Sequence, residues 1–136
     1  MTLPSRSPKG ISLVAVIFLA ALFVLLGALL VKMAYNYQSS ARNYYLAERA
    51  FYLAEAGLED GKVRLARNSA WFTDLPHYPD DDASWLIDKA VGATGKLGGG
   101  QFKIVREKGR SNLYSVGQIG RATAVVRFGP EGWREL

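Results

Sequence analysis

Residues 10–31 read GISLVAVIFLAALFVLLGALLV, and the reading of this stretch decides the fold. From Ile11 to Val31, twenty-one consecutive residues carry neither charge nor proline. As a helix rising ~1.5 Å per residue, the run covers about 30 Å, the thickness of a bilayer's hydrocarbon core. Lys32 closes it. In front lies MTLPSRSPKG, short and polar, with Arg6 and Lys9 basic and no acid, so a basic leader and a glycine abut the apolar run. A secretory signal peptide has a core of only ~7–15 residues followed by a small-x-small cleavage site. This core is longer, and its end offers Leu26 two before Ala28 and Lys32 two before Ala34, neither a small pair. The length fits a membrane-spanning helix, with Arg6 and Lys9 holding the N-terminus in the cytoplasm.

Helical character continues past Lys32. Between Lys32 and Pro76 no proline occurs, and Ala, Leu, Glu, Arg and Tyr dominate up to about Ser69. A helix from Ile11 to about Ala70 is ~90 Å long, apolar all round in its first half and amphipathic in its second. Tyr37, Tyr44, Phe51, Leu58 and Leu65 recur at intervals of seven, and Ala47, Ala54 and Gly61 form a second seven-spaced row. Such rows stay near one face with a drift of ~20° per repeat, and large residues beside small ones make a face suited to close packing. For Phe51 to Leu65 that face can pack on the chain's own sheet or on a helix of another subunit. For Tyr35 to Tyr45, close to the membrane, the second reading is preferred.

After the helix, Pro76, Pro79 and Asp80-Asp81-Asp82 mark a loop. Trp71, Phe72 and Trp85 read as core anchors, and Asp82 as the cap of a short helix over residues 83–91. Gly92, Gly95 and Gly98-Gly99-Gly100 read as a flexible connection. Three strands are expected, at residues 101–107, 112–119 and 122–128. Gly109-Arg110-Ser111 and Gly120-Arg121 supply the turns, with half-buried alternation in Phe102 and Ile104, Tyr114 and Val116, and Ala124, Val126 and Phe128. Short turns imply an antiparallel meander. The expected class is α+β: a long N-terminal helix and a small head with a three-stranded antiparallel sheet. The chain then divides into a leader (1–10), an apolar helical half (11–31), an amphipathic half (32–70), a loop region (71–100) and the sheet with its tail (101–136).

Three groups of residues together carry a family resemblance. Gly10 followed by ISLVAVIFLAAL resembles the class III leader junction of type IV pilins and pseudopilins. AERAFYLAEAGLE, Ala47 to Glu59, resembles the amphipathic half of the N-terminal helix in PilX-like minor pilins and in the tip pseudopilin of type II secretion. GGGQFKIV and YSVGQIGRATAVVRF resemble the small sheet that ends many such subunits. The resemblance implies cleavage by a prepilin peptidase between Gly10 and Ile11 and N-methylation of Ile11. It also implies an inner-membrane, single-pass stage with the C-terminal domain periplasmic or extracellular. Assembly into a type IV pilus-like or type II secretion filament follows, and the partners are other pilins or pseudopilins, the assembly platform and membrane lipid. The family's major subunits carry a glutamate five residues after the cleavage point, where this chain has Ala15. Ala15 cannot supply that carboxylate, so the resemblance favours a minor subunit, for which the filament tip is one position. The alternative is an uncleaved single-pass protein displaying a small interaction domain.

Charge and composition narrow the remaining classes. The net charge of +5 divides as +2 in the leader, +2 from Lys32 to Trp71 (six basic, four acidic) and +1 from Phe72 to Leu136 (nine basic, eight acidic). The globular end therefore has no concentrated basic excess of the kind a nucleic-acid surface needs, and direct nucleic-acid binding is disfavoured. With no cysteine there is neither disulfide nor thiolate metal site. Asp80, Asp81 and Asp82 offer oxygen ligands to calcium, but not at EF-hand spacing, and adjacent loop carboxylates are more often solvated. His77, the single histidine, reads as a surface residue, and Arg110 and Arg121 as solvated strand ends. No enzymatic role and no cofactor are expected.

Overall fold

The computed structural model describes residues 9–136, so most of the leader, including Arg6, lies outside the described residues. The chain divides into two compact units, Met1–Ala41 and Arg42–Leu136. Helix α1 (Lys9–Arg67) is a single element of 59 residues, followed by α2 (Ala83–Asp88) and the strands β1 (Ala93–Leu97), β2 (Gly100–Arg106), β3 (Leu113–Ile119), β4 (Ala122–Gly129) and β5 (Gly132–Glu135). The expected α+β class, a long apolar N-terminal helix followed by a small antiparallel sheet, is what the chain adopts. The expected three strands are corrected to five, in the sheet order β1-β2-β3-β4-β5 with every pair antiparallel.

The two extra strands are the edges. β1 is the middle of what reads as a flexible glycine connection. Gly98 and Gly99 have φ of 57° and 80° and form the two-residue turn between the paired Leu97 and Gly100, a conformation that right-twisted hairpins favour and only glycine adopts cheaply. Gly95 is tolerated inside β1 because the Phe102 ring of β2, its cross-strand partner, lies over it. At the other edge β5 pairs Trp133 with Phe128. Both edges are short and mixed in polarity, so they lack the alternation that betrays a strand. α1 ends at Arg67 and not near Ala70. The Asn68 side chain accepts from the Ala70 N–H, and Asn68 N–H closes on the Arg64 carbonyl. α2 stops at Asp88 because the N–H groups of Lys89 and Ala90 both turn back to the Trp85 carbonyl.

Within Arg42–Leu136 the sheet is covered on both faces. On one, Ala50, Leu53, Ala54 and Leu58 of α1 pack with Ile104, Leu113, Ile119, Ala124 and Val126. On the other, Leu86 and Ala90 pack with Val105, Tyr114, Val116 and Val125. The half-buried alternation expected for the strands therefore fails in β3, where only Gln118 is exposed, as for any strand enclosed from both sides. Each fully buried Leu, Ile or Val here is worth about 1.5–3 kcal/mol.

Helix and sheet approach closely because both surfaces are small where they meet. A Cβ added at Gly117 would lie 2.0 Å from the Ala50 carbonyl oxygen and 2.5 Å from the Ala54 nitrogen, both backbone atoms. Gly57 and Gly61 repeat the arrangement from the helix side, against Ser115 and Phe102 and against Ile104 and Leu113. Ala50, Ala54, Gly57 and Gly61 form one stripe, flanked by Leu46 and Leu53 on one side and by Phe51, Leu58 and Leu65 on the other.

Gly117→Ala should cost at least ~2–3 kcal/mol, because helix backbone cannot yield as a side chain can. Gln118→Ala, at the exposed neighbouring position, should stay within ~0.5 kcal/mol. Thermal melts of the two full-length variants in neutral detergent check this; equal losses would show that the helix does not rest on Gly117.

Candidate functional site: the leader junction, the helix and the aspartate loop

Gly10 and Ile11 stand in the first turn of α1, with Ile11 73% exposed. From Ile11 to Val31 every residue is exposed, Ala15 included, and none of the described residues covers a side of the helix. α1 is by length and composition able to cross a membrane, its richest window reaching a mean hydropathy of 3.1. A helix apolar all round needs an apolar medium or apolar neighbours on every side.

Past Lys32 the seven-spaced rows separate. Tyr37, Tyr44 and Ala47 are exposed, as are Tyr35 and Tyr45. Ala54, Leu58 and Gly61 are buried against the sheet, and Phe51 and Leu65 are half-buried beside it. The alternatives left open for Phe51 to Leu65 thus resolve toward the chain's own sheet. The stripe Ala50–Gly57 and the flank Leu46–Leu53, also seven-spaced, were not singled out from the sequence, although the same spacing marks them.

The aspartates of the loop diverge to three different sets of partners. Asp80 pairs with Arg110, whose guanidinium also lies 4.6 Å from the Tyr78 ring centre. Asp81, at φ 57°, accepts from Tyr114 Oη at 2.9 Å and pairs with Arg127 at 2.6 Å. Asp82 caps α2, accepting from the Trp85 N–H at 3.1 Å, and meets His77 Nε2 at 3.1 Å. The Trp85 N–H, then His77, hold the Asp82 carboxyl below the usual aspartate range. Among the described residues, no group of three or more His, Cys, Asp or Glu is arranged to hold a metal ion. Asp81 ties the loop to β3 and β4, Asp80 ties it to the turn between β2 and β3, and Asp82 fixes it to α2.

Several readings of this region need correction. His77 is half-buried, stacked on Trp85 with ring centres 4.1 Å apart, and its backbone N–H donates to the carboxylate of the buried Glu107. Arg110 is mostly enclosed and paired, not solvated, while Arg121 is exposed. Trp71 and Trp85 do pack against the core clusters, but Phe72 is 45% exposed and carries Lys108 Nζ over its ring. Lys103, unremarkable in the sequence, closes the end of α2 by donating to the Ile87 and Ala90 carbonyls. Burial lowers its pKa against the opposing pull of Asp88 and Asp74.

Tyr114 gives the region a measurable pH dependence. Burial, and then its hydrogen bond to Asp81, push its hydroxyl from 10.0 up to about 12. A raised folded-state pKa on an acid that is neutral when protonated means stability is complete below the unfolded value and lost as pH rises through the folded one. The wild-type chain should therefore lose on the order of 2 kcal/mol between pH 10 and about 12 that Tyr114→Phe does not lose. Denaturant titrations of both proteins across that window check the difference.

Comparison of the chain with protein-family models, with curated proteins and with solved structures gave no match.

Proposed function

We propose that this chain is a minor pilin or pseudopilin-type subunit with a structural role and no reaction of its own. Ile11–Val31 anchors it in the inner membrane, with the leader cytoplasmic and the sheet-bearing unit on the far side. A prepilin peptidase removes the leader after Gly10, and the chain joins other pilin-like subunits in a filament of the type IV pilus or type II secretion kind. The observation that supports this reading best is α1 itself. One uninterrupted 59-residue helix is uncovered and apolar over its first part and packed on an antiparallel sheet through Ala50, Ala54, Gly57 and Gly61 in its last part. Such a helix suits a subunit held first by lipid and then by the apolar helices of its neighbours, since either surrounding satisfies the same all-round apolar surface. The exposed Tyr35, Tyr37, Tyr44 and Tyr45 extend the surface available to those neighbours. An uncleaved single-pass protein would need the same spanning run, and the fate of the leader separates the two.

Under this reading the mature chain begins at Ile11 and carries an added methyl group on its amine. Replacing Gly10 with a bulky residue leaves the leader attached. Intact-mass and N-terminal analysis of protein extracted from membranes checks both; a chain starting at Met1 would mean the uncleaved alternative.

Ala15 carries the second expectation. A carboxylate in mid-membrane costs ~2.5–3.5 kcal/mol on insertion scales unless a partner meets it. Ala15 avoids the cost and forgoes the pairing, so the chain should be scarce in filaments, and Ala15→Glu should not raise its incorporation. Quantitative mass spectrometry of sheared filaments measures both, and near-stoichiometric abundance would make this a bulk subunit.

A further inference from the structure

Between α1 and β5 an open groove of about 350 Å³ is lined by Tyr52, Glu55, Ala56, Glu59, Lys62 and Trp133. Its walls are aromatic. Tyr52 is 57% and Trp133 49% exposed, and Trp133 is braced edge-on by Phe51, with ring centres 5.6 Å apart. Its charges do not balance. Glu59 is neutralised by Lys62 at 2.8 Å, and Lys62 in turn lies 4.4 Å from the centre of the Phe128 ring. Glu55 is half-buried, and among the described residues its side chain has neither a hydrogen bond nor an ion pair. The groove thus presents one uncompensated carboxylate beside two exposed aromatic rings.

From this we infer that the groove is a docking site for a basic side chain of a partner protein, an arginine in its preferred form. Lys62 shows the chemistry in miniature, since it already sits between a carboxylate and a ring at one end of the groove. At the other end Glu55, Tyr52 and Trp133 offer the same two attractions with no cation of this chain to fill them. A planar guanidinium can stack on an indole face and still present two N–H groups to a carboxylate, which an ammonium cannot match. Partial burial of Glu55 strengthens the pairing relative to one made in open water. The site depends on neither membrane insertion nor leader cleavage, so its test is separate from that of the proposed function.

The test uses the full-length protein in neutral detergent micelles and the capped peptide acetyl-Gly-Arg-Gly-amide. The Trp133 indole N–H resonance, identified by its loss in Trp133→Phe, is followed as peptide is added. The resonance is expected to shift saturably at millimolar peptide, while the isosteric citrulline peptide leaves it in place. Glu55→Gln should weaken binding about fivefold to tenfold, and Glu59→Gln by less, because Glu59 is already paired. Trp133→Leu, followed on the Tyr52 ring resonances, should weaken it comparably through loss of a wall; circular dichroism establishes that each variant is folded. No shift with the arginine peptide, equal binding of the citrulline or an apolar peptide, or unchanged affinity in folded Glu55→Gln overturns the proposal. So does a shift that grows with protein concentration alone and persists in Glu55→Gln, which would mark the groove as a contact between copies of this chain.

Discussion

The contact on which the rest of the Arg42–Leu136 unit depends is that between the backbone of α1 at Ala50 and Ala54 and the Cα of Gly117 in β3. No side chain separates them there. A helix ordinarily stands off a sheet by the length of the side chains between them, and native packing density leaves no void to absorb a mismatch. At this contact the stand-off is set by two alanines, two helix glycines and one strand glycine. Everything larger is displaced to the flanks, where Leu53, Phe51 and Leu58 reach down beside the small stripe. The Ser115 hydroxyl, buried directly below Gly57 without a hydrogen-bond partner among the described residues, is a consequence of the same closeness. That position requires a small side chain more than it requires a satisfied one.

The other face of the sheet is held by different chemistry. α2 has only six residues, too few for a helix stable by itself, and covers little of the sheet. The loop leading to it is fixed by ionic and hydrogen-bonded ties instead, through Asp80, Asp81, Asp82 and the buried Glu107. Ion pairs between exposed groups are worth little, but Arg110 and Arg127 are largely enclosed and Tyr114 almost wholly so. The loop therefore resists displacement without a large apolar core beneath it. The unit couples a face where close steric fit decides to one where a smaller apolar cluster is reinforced by pairing.

The N-terminal unit has no such internal support. From Ile11 to Val31 the helix exposes large apolar side chains on every side, and none of the described residues covers them. Its order in water would be a liability, since surface of this extent drives association. The function proposed here is a response to that fact: lipid and like helices are the surroundings that such a surface tolerates.

Some of this architecture is legible from the residues alone. The apolar run from Ile11 to Val31 needs only its length and lack of charge to be recognised, and helix continuation to the 60s follows from composition and the absence of proline. Asp82 as a cap, the central strands and their glycine turns are likewise local, because caps and turns are set by interactions within a few residues. The edge strands β1 and β5 were not legible, since an edge strand forms by borrowing the hydrogen bonds of its neighbour and its own sequence carries little pattern. The seven-spaced rows show that the helix has a packing face, but not what it meets. That Ala54 faces Gly117, and that Tyr44 stays exposed, depends on a strand more than fifty residues away. The fate of the three aspartates was also beyond the sequence. Adjacent carboxylates look like a cluster in one dimension, and only the fold turns them toward Arg110, Arg127 and His77, each brought from a different place. The sequence by itself determined the helices, the central strands and the apolar span, because those rest on local geometry and on transfer from water. The tertiary structure alone decided the partners, because contact across a sheet is set by which chain segments come within a few ångströms of one another.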